Sequence, residues 1–276
     1  MTENPPAADG IAQSLRERIN TSQPHTARIW NYWLGGKDNY EVDRAAGDQI
    51  RQLHPGIGEY ARADRLFLGR AVRHLVSDLG IRQFLDVGTG LPTADNTHEV
   101  AQRIAPDARI VYVDNDPLVL AHARALLTST PEGRTDYLDE DLRNVDAILG
   151  HAAKTLDLTQ PVALILLGVV IFLRDDEDPY GVVRRLMDAL PPGSHLVLSH
   201  TITSPSMPDV DEAVKFWNEH GTPKLTQRTP EAVEGFFDGL ELLEPGVVSC
   251  SRWRPEAGDG AEPEEVAMFG GVARKS

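Results

Sequence analysis

The feature that most constrains this 276-residue sequence is an apolar stretch that ends in an acidic residue and a Gly-x-Gly turn. The stretch covers residues 84–90 and contains Asp86 directly before the turn region. A second apolar stretch, residues 110–113, also ends in an acid, Asp114. Glycines permit tight turns with positive φ and let the backbone approach a ligand closely. The two stretches therefore predict neighbouring parallel strands with a nucleotide-type pocket at their carboxyl ends.

Elsewhere, short apolar segments alternate with segments of helical periodicity, as in proteins built from βαβ units. The predicted strands cover residues 83–87, 109–113, 135–138, 162–168 and 195–199. Residues 240–251 and 266–273 follow one another without a helix and predict an antiparallel hairpin. We therefore predict an α/β fold with a mostly parallel, Rossmann-like seven-stranded sheet that ends in this hairpin. The combination is typical of class I methyltransferases, whereas a dehydrogenase usually repeats a second βαβαβ half.

The segment before the sheet is helical and predicts a separate cap. Three helical stretches, at residues 26–34, 41–53 and 60–79, precede the first predicted strand. Glycines follow the first and third of them, where helices commonly end. We predict three parts: a flexible arm at residues 1–23, a helical cap or lid at 24–79, and a Rossmann-like domain at 80–276.

Composition narrows the possible partners and the compartment. The formal net charge of −15 and the pI near 5.0 argue against nucleic acid, which normally requires a basic face on the protein. The single cysteine, Cys250, cannot form an intrachain disulfide, which favours a reducing cytoplasm. The longest apolar run, residues 162–173, is shorter than the ~20 residues that span a bilayer, and residues 1–9 lack a signal-peptide pattern. We predict a cytoplasmic protein with no membrane partner.

The glycine turn departs from the dinucleotide-binding pattern, and this departure bears on the cofactor. The third glycine of G-x-G-x-x-G would fall at residue 93, which is Thr93 in this sequence. S-Adenosylmethionine has no pyrophosphate, so it needs no long phosphate cradle at a helix N-terminus. The sequence therefore favours S-adenosylmethionine over NAD as the cofactor.

The candidate cofactor contacts lie at the ends of the predicted strands. Asp114 would accept hydrogen bonds from ribose hydroxyls, whereas Asp116, directly before a proline, is interpreted as a helix cap. Asp141 would accept the adenine amino group while Leu142 donates its backbone N–H, although Asp141 could instead initiate a helix. Asp86 would orient the turn or contact the amino-acid end of the cofactor; the alternative is a strand-end carboxylate that binds backbone N–H groups. The full candidate set is Asp86, Gly88, Thr89, Gly90, Asp114, Asn115, Asp141, Leu142 and Gly168.

Few polar residues are available for catalysis, because residues 168–172 after the fourth predicted strand are apolar. His200 ends the fifth predicted strand and is a candidate general base, with a structural histidine as the alternative. Lys37 and Tyr40 are candidates on the acceptor side, in a polar run that could equally be a solvated turn between helices. We expect residues 26–53 to fold over the strand ends as a lid. The histidines are scattered without ligand spacing, so no metal is predicted.

Three stretches of the sequence resemble one known family. They are residues 27–40 (ARIWNYWLGGKDNY), 84–93 (FLDVGTGLPT) and 111–117 (VYVDNDP). They resemble the actinobacterial S-adenosylmethionine-dependent methyltransferase family formerly listed as a domain of unknown function (DUF574), from about residue 24 to residue 254. The resemblance implies a class I methyltransferase fold with cofactor contacts at Asp86, Gly88, Gly90, Asp114 and Asp141. Such proteins often carry a histidine after the fourth strand, where this chain has Ile171.

The predicted function is an S-adenosylmethionine-dependent methyltransferase that acts on a small molecule. In-line displacement of a methyl group from a sulfonium mainly requires positioning and a dry, shaped pocket. Two alternatives stay open. One is a non-catalytic S-adenosylmethionine-binding regulatory protein, which the apolar end of the fourth strand allows. The other is an NAD-dependent oxidoreductase, which Thr93 and the late hairpin disfavour.

Overall fold

The structure, a computed structural model, describes residues 20–126, 128–256 and 262–276. Most of the predicted arm therefore lies outside the described residues. Within those ranges, no helix combines the length and the apolar character needed to cross a bilayer.

One mixed sheet carries the fold. Its strands are β1 (Gln83–Val87), β2 (Arg109–Asp114), β3 (Arg134–Asp139), β4 (Ala163–Leu167), β5 (His195–Thr201), β6 (Glu241–Leu242), β7 (Val248–Ser249) and β8 (Met268–Arg274). They lie in the order β3-β2-β1-β4-β5-β8-β6, and β7 also pairs with β8. Strands β1 to β5 are parallel, and β8 runs antiparallel to β5. The sheet has eight strands instead of seven because the predicted stretch 240–251 is divided into β6 and β7, which both pair with β8.

The helices lie between the strands and before them. They are α1 (Thr26–Trp33), α2 (Glu41–Leu53), α3 (Ile57–Ser77), α4 (Thr97–Ile104), α5 (Pro117–Leu126), α6 (Val145–Ala152), α7 (Pro179–Asp188), α8 (Pro208–His220) and α9 (Pro230–Glu234). Short 3-10 helices cover Val170–Phe172, Asp175–Glu177 and Gly235–Phe237. Helices α6 and α8 were not predicted from the sequence, and α3 begins three residues before the predicted stretch.

The central strands are buried on both faces, as expected for parallel strands covered by helices. All five residues of β1 and the first four of β4 are buried. In the register of the sheet, Val87 pairs with Val113 and Asp114 pairs with Asp139, so the carboxyl ends of β1, β2 and β3 meet at one edge. Strand β1 has β2 on one side and β4 on the other, and the chain order reverses at this point. Such a switch point leaves a crevice at the strand ends, where ligands bind in open α/β sheets.

Helices α1 and α2 are joined by a buried acidic residue, Asp43. Its carboxylate accepts hydrogen bonds from the Arg28 side chain (Nε to Oδ2, 2.8 Å), the His25 backbone (2.9 Å) and the Tyr40 backbone (2.8 Å). The side chains of Arg28 and Asp43 are 4% and 0% exposed. Asp43 therefore fixes the start of α1 to the start of α2.

Candidate functional site

A cavity of about 450 Å³ lies at the carboxyl edge of the sheet, between the strand ends and α1. All nine candidate cofactor residues predicted from the sequence line it. Helix α1 and the residues directly before and after it provide a second wall, formed by His25, Thr26, Ala27, Trp30, Asn31 and Leu34. The structure therefore brings together residues as far apart in the sequence as His25 and Gly168.

The two glycines of the turn have different environments. Gly88 has a φ of +77°, and a Cβ atom there would lie 2.4 Å from Cγ2 of Val169. We expected this glycine to make room for a ligand, but the close neighbour is a side chain from the loop after β4. Gly90 has a φ of +65°, and no described protein atom lies within 4 Å of the place where its Cβ would be. Packing therefore requires the first glycine, and the second leaves open space beside the cavity.

Asp114 at the end of β2 holds the turn in place. Its Oδ2 accepts a hydrogen bond from the Gly90 backbone and its Oδ1 accepts one from the Asp116 backbone, both at 2.9 Å. Burial raises the pKa of Asp114 to about 6, although these two hydrogen bonds oppose the rise. A carboxylate oxygen can accept two hydrogen bonds, so each oxygen keeps one lone pair for a ligand. Asp116 accepts from the Leu118 backbone at 2.8 Å, in agreement with its interpretation as a helix cap.

Asp86 at the end of β1 is buried and accepts a hydrogen bond from Oγ1 of Thr97 at 2.6 Å. Burial raises its pKa to about 6, and the nearby Arg65 acts in the opposite direction. Arg65 itself reaches from α3 to the loop after the turn, where Nη2 donates to the Ala94 carbonyl at 3.1 Å. Burial lowers the pKa of this guanidinium, which nevertheless stays charged near neutral pH.

The preceding residue of α3, Asp64, is a further carboxyl group in the cavity wall. Its Oδ1 accepts a hydrogen bond from Oγ of Ser199 at 2.6 Å, and Ser199 in turn accepts from the Gly168 backbone at 3.0 Å. Burial raises the pKa of Asp64 to about 6. Sequence reasoning missed both Asp64 and Arg65. A signal was present, because Asp64 lies four residues from both Tyr60 and Leu68, on the apolar face of a predicted helix.

At the far end of the cavity, Asp141 is surrounded by donors. Its oxygens accept hydrogen bonds from Nδ2 of Asn115 at 3.1 Å, the Arg143 backbone at 2.9 Å and Nη1 of Arg143 at 3.0 Å. Arg143 also donates to Oε1 of Glu177 and to the Phe172 carbonyl. Asp141 therefore connects the loops after β2, β3 and β4. The alternative interpretation, an acid shortly before a helix, also agrees with the structure, because α6 begins at residue 145.

Comparison with known proteins supports one family. A family model described as S-adenosyl methyltransferase matches residues 12–276. A DUF574 family protein from Streptomyces avermitilis is 45% identical with a TM-score of 0.88, covering 93% of this chain and 99% of that one. A protein from Thermobifida fusca is 40% identical with a TM-score of 0.85, covering 93% and 96%. The chain belongs to the S-adenosyl methyltransferase family.

Two more distant proteins share the fold or part of the sequence. The magnesium protoporphyrin IX methyltransferase of Synechocystis, solved with bound SAH, is 14% identical and shares the fold with a TM-score of 0.55, over 96% of this chain and 100% of that one. The carboxy-S-adenosyl-L-methionine synthase of Chromohalobacter salexigens is 31% identical over 172 residues, or 62% of this chain. The match covers 54% of that protein, so the chain spans about half the length of this curated relative. The predicted class I methyltransferase fold is confirmed, and the family favours a methyltransferase over both alternatives kept from the sequence.

The cofactor of this methyltransferase is S-adenosylmethionine, and the cavity residues fit that molecule. Asp114 offers free lone pairs to a ribose diol, and Arg65 offers a positive charge for the carboxylate of the methionine portion. The volume of about 450 Å³ lies within the range of 300–1,000 Å³ that is usual for small-molecule sites.

The structure does not bring His200 to the cavity of the methyltransferase. The side chain is fully buried in the core, and both ring nitrogens have partners. Nδ1 lies 2.8 Å from the Thr201 carbonyl, and Nε2 lies 2.8 Å from Nη1 of Arg228. Burial lowers the pKa of His200 to about 4. The structural alternative therefore fits this histidine better than the role of general base.

Lys37 and Tyr40 also lie outside the cavity wall, because the turn that carries them folds back on Asn31. Oδ1 of Asn31 accepts hydrogen bonds from the Asp38 backbone and from Nδ2 of Asn39, both at 3.0 Å. Both candidate side chains are exposed, and the Tyr40 ring lies under a guanidinium from α1. The predicted polar run is therefore a structured turn, and the cavity wall comes from the helix before it.

Proposed function

We propose that this methyltransferase transfers its methyl group to a small molecule held beneath α1. A second, smaller cavity adjoins the first and shares Thr26, Trp30, Gly168 and Phe172 with it. This adjoining cavity carries the proposal, because it offers a place for an acceptor next to the cofactor and beneath a helix. A macromolecular acceptor would need an open approach to the same place. The net charge of −15 also disfavours nucleic acid.

The cofactor would be held at four points of the larger cavity. Asp114 would accept hydrogen bonds from the ribose hydroxyls, and the backbone N–H of Leu142 would donate to the adenine ring. Arg65 and the turn at Gly90 would bind the amino-acid portion. Asp141, whose oxygens are already occupied by Asn115 and Arg143, would position that end of the cavity without binding adenine directly. When bound, S-adenosylmethionine supplies an electrophilic methyl group on a sulfonium.

We further propose that α1 and α2 form the cap of the cofactor cavity, which makes the cap narrower than the predicted division at residues 24–79. Helix α3 belongs with the sheet, since Phe67, Ala71 and Leu75 are fully buried in the core. Helix α1 instead gives four residues to the cavity wall, and the residues directly before and after it give two more. The functional boundary of the cap would therefore lie near residue 56.

Methyl transfer to fractionated cell extract tests the proposal. The protein is incubated with S-adenosylmethionine labelled in the methyl group, together with either the small-molecule or the macromolecular fraction. We expect label in the small-molecule fraction with the wild type and at least tenfold less with Asp114→Asn. Label confined to protein or nucleic acid would contradict a small-molecule acceptor. Failure of the wild type to bind S-adenosylhomocysteine in calorimetry would contradict the cofactor site itself.

A further inference from the structure

The second cavity has a volume of about 100 Å³ and a mainly apolar wall. Its aromatic wall residues are Trp30, Trp33, Tyr60, Phe172 and Trp217. Among its described lining residues there is no lysine, arginine, aspartate or glutamate. A charged acceptor group would lose its hydration here without gaining a counterion, which is costly. The wall therefore selects for a neutral, apolar group.

The size of this cavity limits the group further. An apolar cavity of roughly 150 Å³ can hold a benzene molecule. A volume of about 100 Å³ is therefore too small for a fused ring system, and a single ring would extend past the shared wall residues into the first cavity. Trp30 packs edge to face on Tyr60, with ring centroids 5.5 Å apart. Flat aromatic walls of this kind favour a planar ring as the occupant.

One side chain in the wall has an unused polar atom. His54, between α2 and α3, lines the cavity, and its Nδ1 lies 2.5 Å from Oδ2 of Asp209 on α8. Its Nε2 is buried and has no hydrogen-bond partner among the described residues. The other polar groups of the wall include Tyr60 and Thr201, whose hydroxyls are bonded to each other at 2.5 Å. A buried polar atom without a partner is costly in a folded protein and indicates a role for His54.

Asp209 keeps His54 in one orientation. The side chain of Asp209 is partly exposed. Its partial burial raises its pKa, but the hydrogen bond with His54, the charge interaction with His54 and backbone hydrogen bonds together lower it. An ionised Asp209 accepts the proton on Nδ1, so the lone pair of neutral His54 is on Nε2. This is the arrangement in which a histidine can accept a proton from a ligand.

We infer that the second cavity binds a neutral, single-ring hydroxylated group of the methyl acceptor, such as a phenol, and that His54 accepts its hydroxyl proton. This inference rests on the proposed small-molecule methyl transfer. The hydroxyl oxygen forms the new C–O bond while the C–S bond breaks and its electron pair stays on sulfur. The hydroxyl proton moves to Nε2, which leaves an imidazolium beside the Asp209 carboxylate. The products are a methyl ether and S-adenosylhomocysteine, and the imidazolium returns its proton to water.

Three matched probes test the chemistry of the cavity: phenol, toluene and benzoate. Their binding to the full chain is measured by calorimetry at pH 8, where phenol is neutral, with S-adenosylhomocysteine at saturation. We expect phenol to bind at least fivefold more tightly than toluene, and at least tenfold more tightly than benzoate. In His54→Phe, which keeps an aromatic ring but removes the proton acceptor, phenol should bind only as tightly as toluene. The inference is overturned if benzoate binds equally well, if phenol does not bind, or if its advantage survives in His54→Phe.

Cavity-filling variants test the location. Ala213→Phe and Val214→Trp introduce bulk from α8 into the cavity and should each weaken phenol binding at least tenfold. Lys215→Trp, an exposed neighbour outside the cavity wall, is the matched control and should leave binding unchanged. If thermal unfolding shows that Ala213→Phe does not fold, Val214→Trp decides the question, because its side chain is only partly buried. Unchanged binding in the folded variant would refute this cavity as the acceptor site, whereas loss of S-adenosylhomocysteine binding by the wild type would instead contradict the proposed function.

Discussion

Three carboxyl groups around the larger cavity share an unusual protonation behaviour. Burial raises the pKa of Asp64, Asp86 and Asp114 to about 6 in the folded protein. Since an unfolded aspartate has a pKa near 3.9, the folded state holds more protons than the unfolded state between about pH 4 and pH 6. Their contribution to stability is therefore fully present below about pH 4 and is lost as the pH rises through about 6. The ligand-free protein gives up stability to keep these carboxylates ionised at neutral pH.

Cofactor binding should show the opposite dependence on pH. A ribose diol donates hydrogen bonds to Asp114 only when this carboxylate can accept them, so protonation competes with binding below pH 6. We expect the affinity for S-adenosylhomocysteine to fall roughly tenfold from pH 7 to pH 5 for one group with this pKa. Calorimetry across this range would measure it. Asp114→Asn should bind more weakly at pH 7 with a flatter profile, and an unchanged profile would assign the titration to another group.

Arg65 should act on the amino-acid portion of the cofactor and not on its nucleoside. Arg65→Met removes the positive charge beside the glycine turn, so S-adenosylhomocysteine should bind about 1.5–3 kcal/mol more weakly. 5′-Methylthioadenosine lacks the amino acid and should bind the variant and the wild type equally. The control is Arg62→Met one turn earlier, where the arginine is 65% exposed and pairs with Glu59. Equal weakening of both ligands would mean that Arg65 merely holds the loop at residue 94.

At the scale of the elements, the fit between the turn after β1 and the loop after β4 depends on one glycine. Gly88→Ala would place a Cβ against Val169 and would require an alanine at a φ of +77°. We expect a loss of about 2–4 kcal/mol in the free energy of unfolding, partly from overpacking and partly from the backbone. Adding Val169→Ala to this variant should remove the loss that comes from overpacking. A loss of about 1–2 kcal/mol in the free energy of unfolding, from the backbone, should remain. Strictly additive losses in denaturant unfolding would show that the two residues do not compete for space.

The attachment of α1 to α2 depends on the buried carboxylate of Asp43. Asp43→Ala leaves Arg28 buried without a partner, and breaking a buried pair typically costs 3–5 kcal/mol. Because α1 and α2 pack mainly on each other and on α3 and α8, we expect local release: faster proteolysis within residues 20–53 and weaker cofactor binding. The double variant Arg28→Met with Asp43→Leu should resist proteolysis better than Asp43→Ala. Wild-type resistance in Asp43→Ala would show that the pair does not hold the cap.

The elements differ in how far the sequence predicts them. Four of the five parallel strands are short apolar runs between turn residues, which is why they were predicted well. Strand β3 is more polar and at most partly buried, and it was predicted as the shorter stretch 135–138. Helix α2 has its predicted bounds. Helix α8 was missed although Val210, Ala213 and Trp217 follow helical spacing. The reason is that α8 is followed by another helix and not by a strand, so it is not part of a βαβ unit. The cavity contacts of Asp64, Arg65 and His54 could not be predicted from strand ends. Asp64 and Arg65 come from α3, and His54 comes from the connection between α2 and α3. Helical spacing indicates the apolar side of α3, but tertiary packing decides which part of that side faces the cavity.

For the whole molecule, cofactor binding should order the cap and leave the far edge of the sheet unaffected. Hydrogen exchange with and without S-adenosylhomocysteine would measure this directly. We expect slower exchange across α1, whose residues line the cavity, and no change in β6 to β8. The sequence led us to expect a lid over residues 26–53. The structure narrows the expected protection to α1, because the polar turn after it folds back on Asn31 and lies outside the cavity wall. Uniform protection of the whole chain would indicate general stabilisation without closure of the cap.

Helix α1 gives Thr26 and Trp30 to the walls of both cavities. It therefore cannot move away from one occupant without uncovering the other, and a single opening would admit or release both. In steady-state terms, the enzyme would follow a sequential scheme with a ternary complex and would show no ping-pong pattern. If that opening is slower than the chemistry, acceptors of different reactivity would share one maximal rate, because every turnover waits for the same helix.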